Sequence, residues 1–333
     1  MLALTPRSRL AALGSSMRSP PPCLTSPGDL MSPASATQID KDVRRSNLKA
    51  DLTPKLRSVL RRCCALRPQY GYCQGMNLVA AQLLTFAKAD TNKATALLLR
   101  LADSLPADYW SPSLSGQREL AASLVSLAQT RRRGLRLHGS QPLQLRGLAL
   151  GWFGSVFAGA LPDAALATLL ALLLEEAPAE ETNTPLPPQE ERAATTLLLA
   201  GLAIVAAAEA ELVAAAKRVE DSDLSGPLVG VAAALTPEAL ERAVASLRRE
   251  TPAKAVRRAR EAARAEVLRE DEELRLLRRR ALETTAEPPA AARERKRKAG
   301  DGASSAAAEA DQEDEGRAKQ PRLWGWAFMS SFS

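Results

Sequence analysis

Histidine occurs once in this chain, as His138, and cysteine four times, at Cys23, Cys63, Cys64 and Cys73, without regular spacing. A zinc or other transition-metal centre needs several such ligands at convergent spacing, so no metal site is expected. A disulfide-stapled secreted scaffold needs a denser cysteine framework, and its absence points to a reducing compartment. Aromatic residues amount to only 4%, which leaves little material for half-buried β-strands. Long apolar runs are scarce too. The nearest approach to a membrane span, AATTLLLAGLAIVAAA, is alanine-rich, too short, and runs directly into Glu209 and Glu211, so it reads as a buried helix. The first 29 residues lack the continuous apolar core of a secretory signal; they read as a disordered leader, although arginine and serine without an acid before Asp29 also suit a transit peptide.

What is abundant is alanine, leucine, arginine and glutamate, side chains that lose little freedom on a helix. The chain has 333 residues, 46% hydrophobic and 25% charged, enough for a substantial core. The expected fold class is all-α. The net charge of +7 is concentrated in Arg57 to Arg67, Arg131 to Arg136 and Arg293 to Lys298, which suits anionic partners.

Along the chain, Leu56, Val59, Leu60 and Cys63 share one helical face between Pro54 and Pro68. A second helix is expected from about Cys73 or Gln74 through Leu84, and a third over ATALLLRLADSL, ending at Pro106. RELAASLVSLAQTRRRGLRL reads as a helix closed by Gly134. LALGWFGSVFAGALP and DAALATLLALLLEEAP form a central apolar pair split by Pro162. Ala193 to Lys217 reads as one buried helix, and TPEALERAVASLRRE as a helix capped by Thr236 with Pro237 in its first position. Arg257 to Arg280 is heavily charged with sparse leucines and reads as a solvated helix or short coiled coil rather than a core element.

Two short motifs stand out. QIDKDVRRSN fits I-x-x-D-x-x-R at Ile39, Asp42 and Arg45, and YGYCQGMN contains Y-x-Q at Tyr72 and Gln74. An acid three residues before an arginine is by itself a common surface pair, and an amide near a helix end a common cap. Their conjunction is more specific, because a glycine after the glutamine and an amide two residues beyond are poor choices for simply extending an apolar helix. In order and separation the two motifs resemble the TBC domain of Rab GTPase-activating proteins, and LPADYWSPSLSG and WFGSVFAGALP resemble later segments of that family; the resemblance runs from Ile39 to about Arg260.

The resemblance implies a multi-helix TBC-type domain over residues 38–260, after a leader over 1–37 and before a charged helix over 261–285 and a disordered tail over 286–333. It implies that Arg45 is an arginine finger and Gln74 a glutamine finger, both supplied in trans to a Rab-family small GTPase in vesicle traffic. Asp42 would orient Arg45, Ile39 anchor its segment, Tyr72 brace the glutamine turn, Gly75 allow the GTPase backbone to approach and Asn77 hydrogen-bond the loop. Arg44 is left to solvent or to the partner's acidic surface. No cofactor is expected, since GTP and Mg²⁺ travel with the GTPase. The location implied is cytoplasmic, with peripheral association with endomembranes.

The chain departs from the family in two places. Leu170, Ala171 and Ala177 stand where the family usually carries Trp-Asp and a glycine. Only the Ser/Pro-rich leader precedes Ile39, where further helices are usual, so a divergent or shortened amino-terminal part is expected. The alternative function is a TBC-like adaptor that binds a Rab without accelerating hydrolysis. The basic clusters of the tail read as solvated, with no specific nucleic-acid partner, because no aromatic platform accompanies them. The terminal LWGWAFMSSF is apolar enough to dock on a membrane or a partner.

Overall fold

In the computed structural model, which describes residues 32–46, 48–132, 134–175, 187–216 and 223–285, the described chain forms twelve helices and no β-strand element. The tail from residue 286, Ala177 and the expected leader as far as residue 31 lie outside the described residues; Pro33 to Thr37, assigned to that leader over 1–37, are instead helical. The helices are α1 (Pro33–Arg44), α2 (Thr53–Leu66), α3 (Met76–Phe86), α4 (Thr91–Ser104), α5 (Ser115–Arg131), α6 (Gln141–Gly154), α7 (Asp163–Leu174), α8 (Gln189–Ala207), α9 (Glu209–Ala216), α10 (Ser225–Ala234), α11 (Pro237–Glu250) and α12 (Ala253–Thr285).

Local chemistry explains several of these boundaries. Ser32 caps α1 by accepting from the Ser35 N–H at 3.2 Å, ahead of Pro33 in the first turn. Asp90 caps α4 through the N–H groups of Asn92 (3.0 Å) and Lys93 (3.1 Å). Thr236 caps α11 by accepting from Ala239 at 3.2 Å, as its sequence leads one to expect. Each cap satisfies a donor that the helix itself cannot.

Helices α1 to α4 pack on one another, α5 pairs along α6, and α8 lies at the centre, touching α4, α5, α6, α7, α9, α10 and α11. Its residues Leu197 to Val205 are all buried, so AATTLLLAGLAIVAAA is the core helix its composition suggests. Among the described residues no helix is long and apolar enough to cross a membrane. The apolar segment does not continue as one helix to Lys217, however. It is interrupted at Ala208, where the Ala208 N–H still reaches Ile204 O (3.0 Å) and Leu212 N–H reaches Ala208 O (2.9 Å), while Glu209 just beyond takes the Arg132 guanidinium, Nε at 2.8 Å.

Other expected boundaries shift in the same way. The glutamine-bearing helix starts at Met76, not Cys73 or Gln74, because Gly75 adopts φ +104° and sets the turn. Helix α5 stops at Arg131, three residues before Gly134. Helix α6 ends at Gly154: Val156 (φ +49°) and Phe157 (φ +62°) follow in the left-handed region, at a cost of about 1–2 kcal/mol each for residues with a Cβ. That cost is offset by burying Phe157 completely, stacked at 5.9 Å on Trp152 and edge-on at 5.6 Å to Phe153.

The charged helix corrects a sequence expectation more substantially. Helix α12 runs unbroken across residue 260, where the sequence suggests a division, and Val256, Ala259, Ala263 and Val267 on one of its faces are buried. Its charges hold it in place as well. Arg260 and Arg264 each donate to the buried Glu119 of α5 at 2.8 Å, Arg118 pairs with Glu270 at 2.7 Å and with Asp271, and Arg146 of α6 reaches Glu266 and Glu270 at 2.8 Å. The first turns of α12 are thus a core element, not a solvated one. Contacts divide the chain into one unit ending at Leu274 and a second beginning at Arg275, of which the described part is the end of α12.

This clasp is sensitive to acid. Burial opposes ionisation of Glu270, but the Arg146 and Arg118 guanidiniums outweigh it and hold the carboxyl below the ordinary glutamate value. A carboxyl lowered in the folded state stabilises fully above its unfolded pKa, about 4.3, and that contribution is lost as pH falls through the folded value. The thermal midpoint is therefore expected to drop as pH is lowered below about 4.3, and Glu270→Gln to start lower at neutral pH and to flatten that part of the profile.

Candidate functional site

The two motifs meet at the carboxyl end of α1. Ile39 and Val43 face the core, which turns Asp42, 0% exposed, inward beside them. Arg45 follows as the C-cap, its backbone N–H reaching Asp42 O at 3.2 Å, and its side chain, 56% exposed, folds back so that the guanidinium pairs with Asp42 Oδ1. Gln38, one turn earlier, donates to the same oxygen at 2.9 Å. Ser46 Oγ donates to the Asp42 carbonyl at 2.8 Å.

The other oxygen belongs to the second motif. Tyr72 donates its phenol to Asp42 Oδ2 at 2.6 Å. Burial, reinforced by that carboxylate, pushes the phenol pKa up, so Tyr72 stays protonated and acts as a donor. Asn77, at the start of α3 and 4% exposed, completes the link: its Oδ1 accepts from the Gly75 N–H at 3.2 Å and its Nδ2 donates to Ser46 Oγ at 2.9 Å and to the Asp42 carbonyl at 3.4 Å. Between Tyr72 and Asn77 the chain turns, leaving Gln74 half-buried at the crest, with no hydrogen bond from its carboxamide to any described residue.

The turn rests on α6. A Cβ at Gly75 would press into the Gly154 carbonyl, 2.8 Å from its carbon and 3.3 Å from Ser155 N, so the residue must be glycine for the chain's own backbone to pass. The α6 end is fixed in turn by Tyr109, whose hydroxyl donates to Phe153 O. Gln117 of α5, 2% exposed, donates to Cys73 Sγ at 3.8 Å, and burial raises that thiol to about 11.

The structure therefore brings Ile39, Asp42, Arg45, Tyr72, Gly75 and Asn77 into one connected group with Gln74 on its rim. Sequence reasoning missed Gln38, Gln117, Tyr109 and Gly154. Of these only Gln38 carried a local signal, its position four residues before Asp42 on the same helical face; the others reach the site through tertiary contacts. Leu170 and Ala171 of α7 are fully packed core residues.

Comparison with known proteins follows the same lines. The chain matches the Rab-GTPase-TBC domain over residues 26–210. It is 35% identical over 135 residues to Small G protein signaling modulator 3 of Bos taurus, covering 37% of this chain and 18% of that protein. It is 31% identical over 151 residues to a TBC domain-containing protein of Schizosaccharomyces pombe, covering 42% and 19%, and 31% identical over 147 residues to TBC1 domain family member 2A of Ailuropoda melanoleuca, covering 41% and 16%. The chain spans less than a fifth of the length of these curated relatives.

Proposed function

The chain belongs to the Rab-GTPase-TBC domain family, and from that premise we propose that it accelerates GTP hydrolysis on a Rab-type small GTPase, with Arg45 and Gln74 entering the partner's nucleotide site in trans. Hydrolysis spreads negative charge over the transferred phosphoryl oxygens and requires a water held in line. Arg45 supplies a planar, permanently charged fork for those oxygens. Gln74 supplies a carboxamide that accepts from the water and donates to a phosphoryl oxygen. Neither role needs a proton to leave the side chain. The nucleotide and its Mg²⁺ come with the GTPase.

The observation that carries this reading is the shared carboxylate of Asp42, one oxygen on Arg45 and the other on Tyr72, two residues before Gln74. It ties a half-exposed guanidinium to the turn that carries a carboxamide free of described partners. Acting there, the chain would end the signal of a GTPase in vesicle traffic, from the cytoplasm or from the surface of an endomembrane.

A second reading, binding without acceleration, has one observation in its favour. Leu170 and Ala171, where the family usually carries Trp-Asp, leave α7 without polar groups at those positions. Phosphate release from a panel of GTP-loaded Rab proteins, with and without the full chain, separates the two. Faster release from at least one Rab is expected; binding without faster release from any of them would establish the adaptor instead.

A further inference from the structure

We propose that Lys41, Arg44 and Lys49 form a docking rim that receives an acidic surface of the partner GTPase. The inference rests on the reading that Arg45 enters that GTPase. Lys41 and Arg44 lie on the last turn of α1, and spacings of three and four residues put Lys41 on the same side as Arg44 and Arg45, opposite the buried Ile39 and Val43. Lys49 follows in the turn towards α2. All three are exposed, and none has an ion pair or hydrogen bond to a described side chain.

The acids nearest Lys41 and Arg44 in sequence do not cancel their charge. Asp40 is taken by Arg57 Nε at 2.8 Å and by Arg61 at 3.1 Å. Asp42 is buried beneath Arg45 and Tyr72. Of the carboxylates between residues 38 and 52, only Asp51 remains exposed and unpaired among the described residues. Like charges four residues apart, as at Lys41 and Arg45, destabilise a helix. The dipole of α1 favours cations on its last turn, but that effect does not extend to Lys49, beyond the helix. An uncompensated cluster of this kind instead attracts an oppositely charged surface and speeds its encounter.

The same geometry selects an acidic protein over an anionic membrane. Arg45, 56% exposed, shares the face with Lys41 and Arg44; a bilayer lying on that face would cover the guanidinium that has to reach the nucleotide. An acidic patch bordering a nucleotide site would meet the rim and Arg45 together.

The test uses the full chain carrying Lys41→Glu, Arg44→Glu and Lys49→Glu together, assayed with whichever GTP-loaded Rab of the panel responds. At low salt, KM is expected to rise by about tenfold or more with kcat unchanged, and the difference from the unaltered chain to shrink in high salt as charges are screened. Lys41→Arg with Lys49→Arg should restore the original KM. An unchanged KM, or a fall in kcat alone, would overturn the rim. So would loss of binding to phosphatidylserine vesicles with KM unchanged, which would identify a lipid as the occupant. Arg45→Ala run in parallel keeps the two ideas apart: if it spares kcat while the rim variant raises KM, the finger reading fails and the docking surface stands. If no Rab responds, affinity for Rab proteins loaded with a non-hydrolysable GTP analogue replaces KM, and equal affinity of the rim variant, or no binding by either chain, overturns the proposal.

Discussion

Replacing Arg45 with lysine is expected to abolish most of the stimulated GTP hydrolysis while leaving the fold as stable as before. A supplied arginine finger is worth roughly 10³-fold or more in rate, and lysine keeps the charge but loses the planar fork that matches phosphoryl oxygens. The choice of lysine matters because Asp42 is 0% exposed and leans on Arg45. Arg45→Ala would abolish activity as well, but it also strips the cation from a buried carboxylate, so some loss of stability is expected with it. Gln74→Ala has no such complication, since the carboxamide makes no hydrogen bond to a described residue. It should reduce turnover to a similar degree with an unchanged thermal midpoint. Single-turnover phosphate release with the responsive Rab, beside thermal unfolding of each variant, makes the measurement, and unimpaired turnover in both Arg45→Lys and Gln74→Ala would rule out the two-finger mechanism.

Gly75→Ala is expected to damage both stability and activity. At φ +104° a residue with a Cβ is strained, and here the new atom also meets the carbonyl of Gly154. Backbone strain of about 1–2 kcal/mol and overpacking of about 1–3 kcal/mol together give a loss on the order of 3 kcal/mol. Relief can come only from moving the turn off α6, which carries Gln74 with it, and a displacement of about 1 Å in a reacting group is enough to cost on the order of 10²-fold in rate. Gly71→Ala is the control. It also has a positive φ, +60°, but nothing lies within 4 Å of its added Cβ, so backbone strain alone should appear, with turnover largely kept. Equal behaviour of the two alanine variants in unfolding and in phosphate release would show that the contact with Gly154 is unimportant.

The all-α class and the grouping of the two motifs were legible because both are written in short-range spacing. Ile39, Asp42 and Arg45 fall within two turns of one helix, and Tyr72 to Asn77 within one turn of chain, so residue type and interval already define the group that the Asp42 carboxylate joins. Caps such as Thr236 are local in the same sense. What escaped depends on partners distant in sequence. Gly154 is 79 positions beyond Gly75, and its importance arises only from backbone contact. Helix α12 looked solvated because its arginines and glutamates outnumber its apolar residues; Glu119, Arg118 and Arg146, which neutralise them, sit more than a hundred residues earlier. Nothing local in LALGWFGSVFAGALP marks where α6 ends, because Val156 and Phe157 are poor choices for a left-handed turn, and only the aromatic packing around Phe157 explains why they adopt one.

Because a single carboxylate joins segments thirty residues apart, Arg45 and the turn leading to Gln74 share one pivot. A tilt of the end of α1 would be passed through Asp42 to the Tyr72 hydroxyl, and so to the turn that carries Gln74. On the proposed reading, the approach of those two side chains to a visiting nucleotide would be prepared within the free chain, before any encounter takes place.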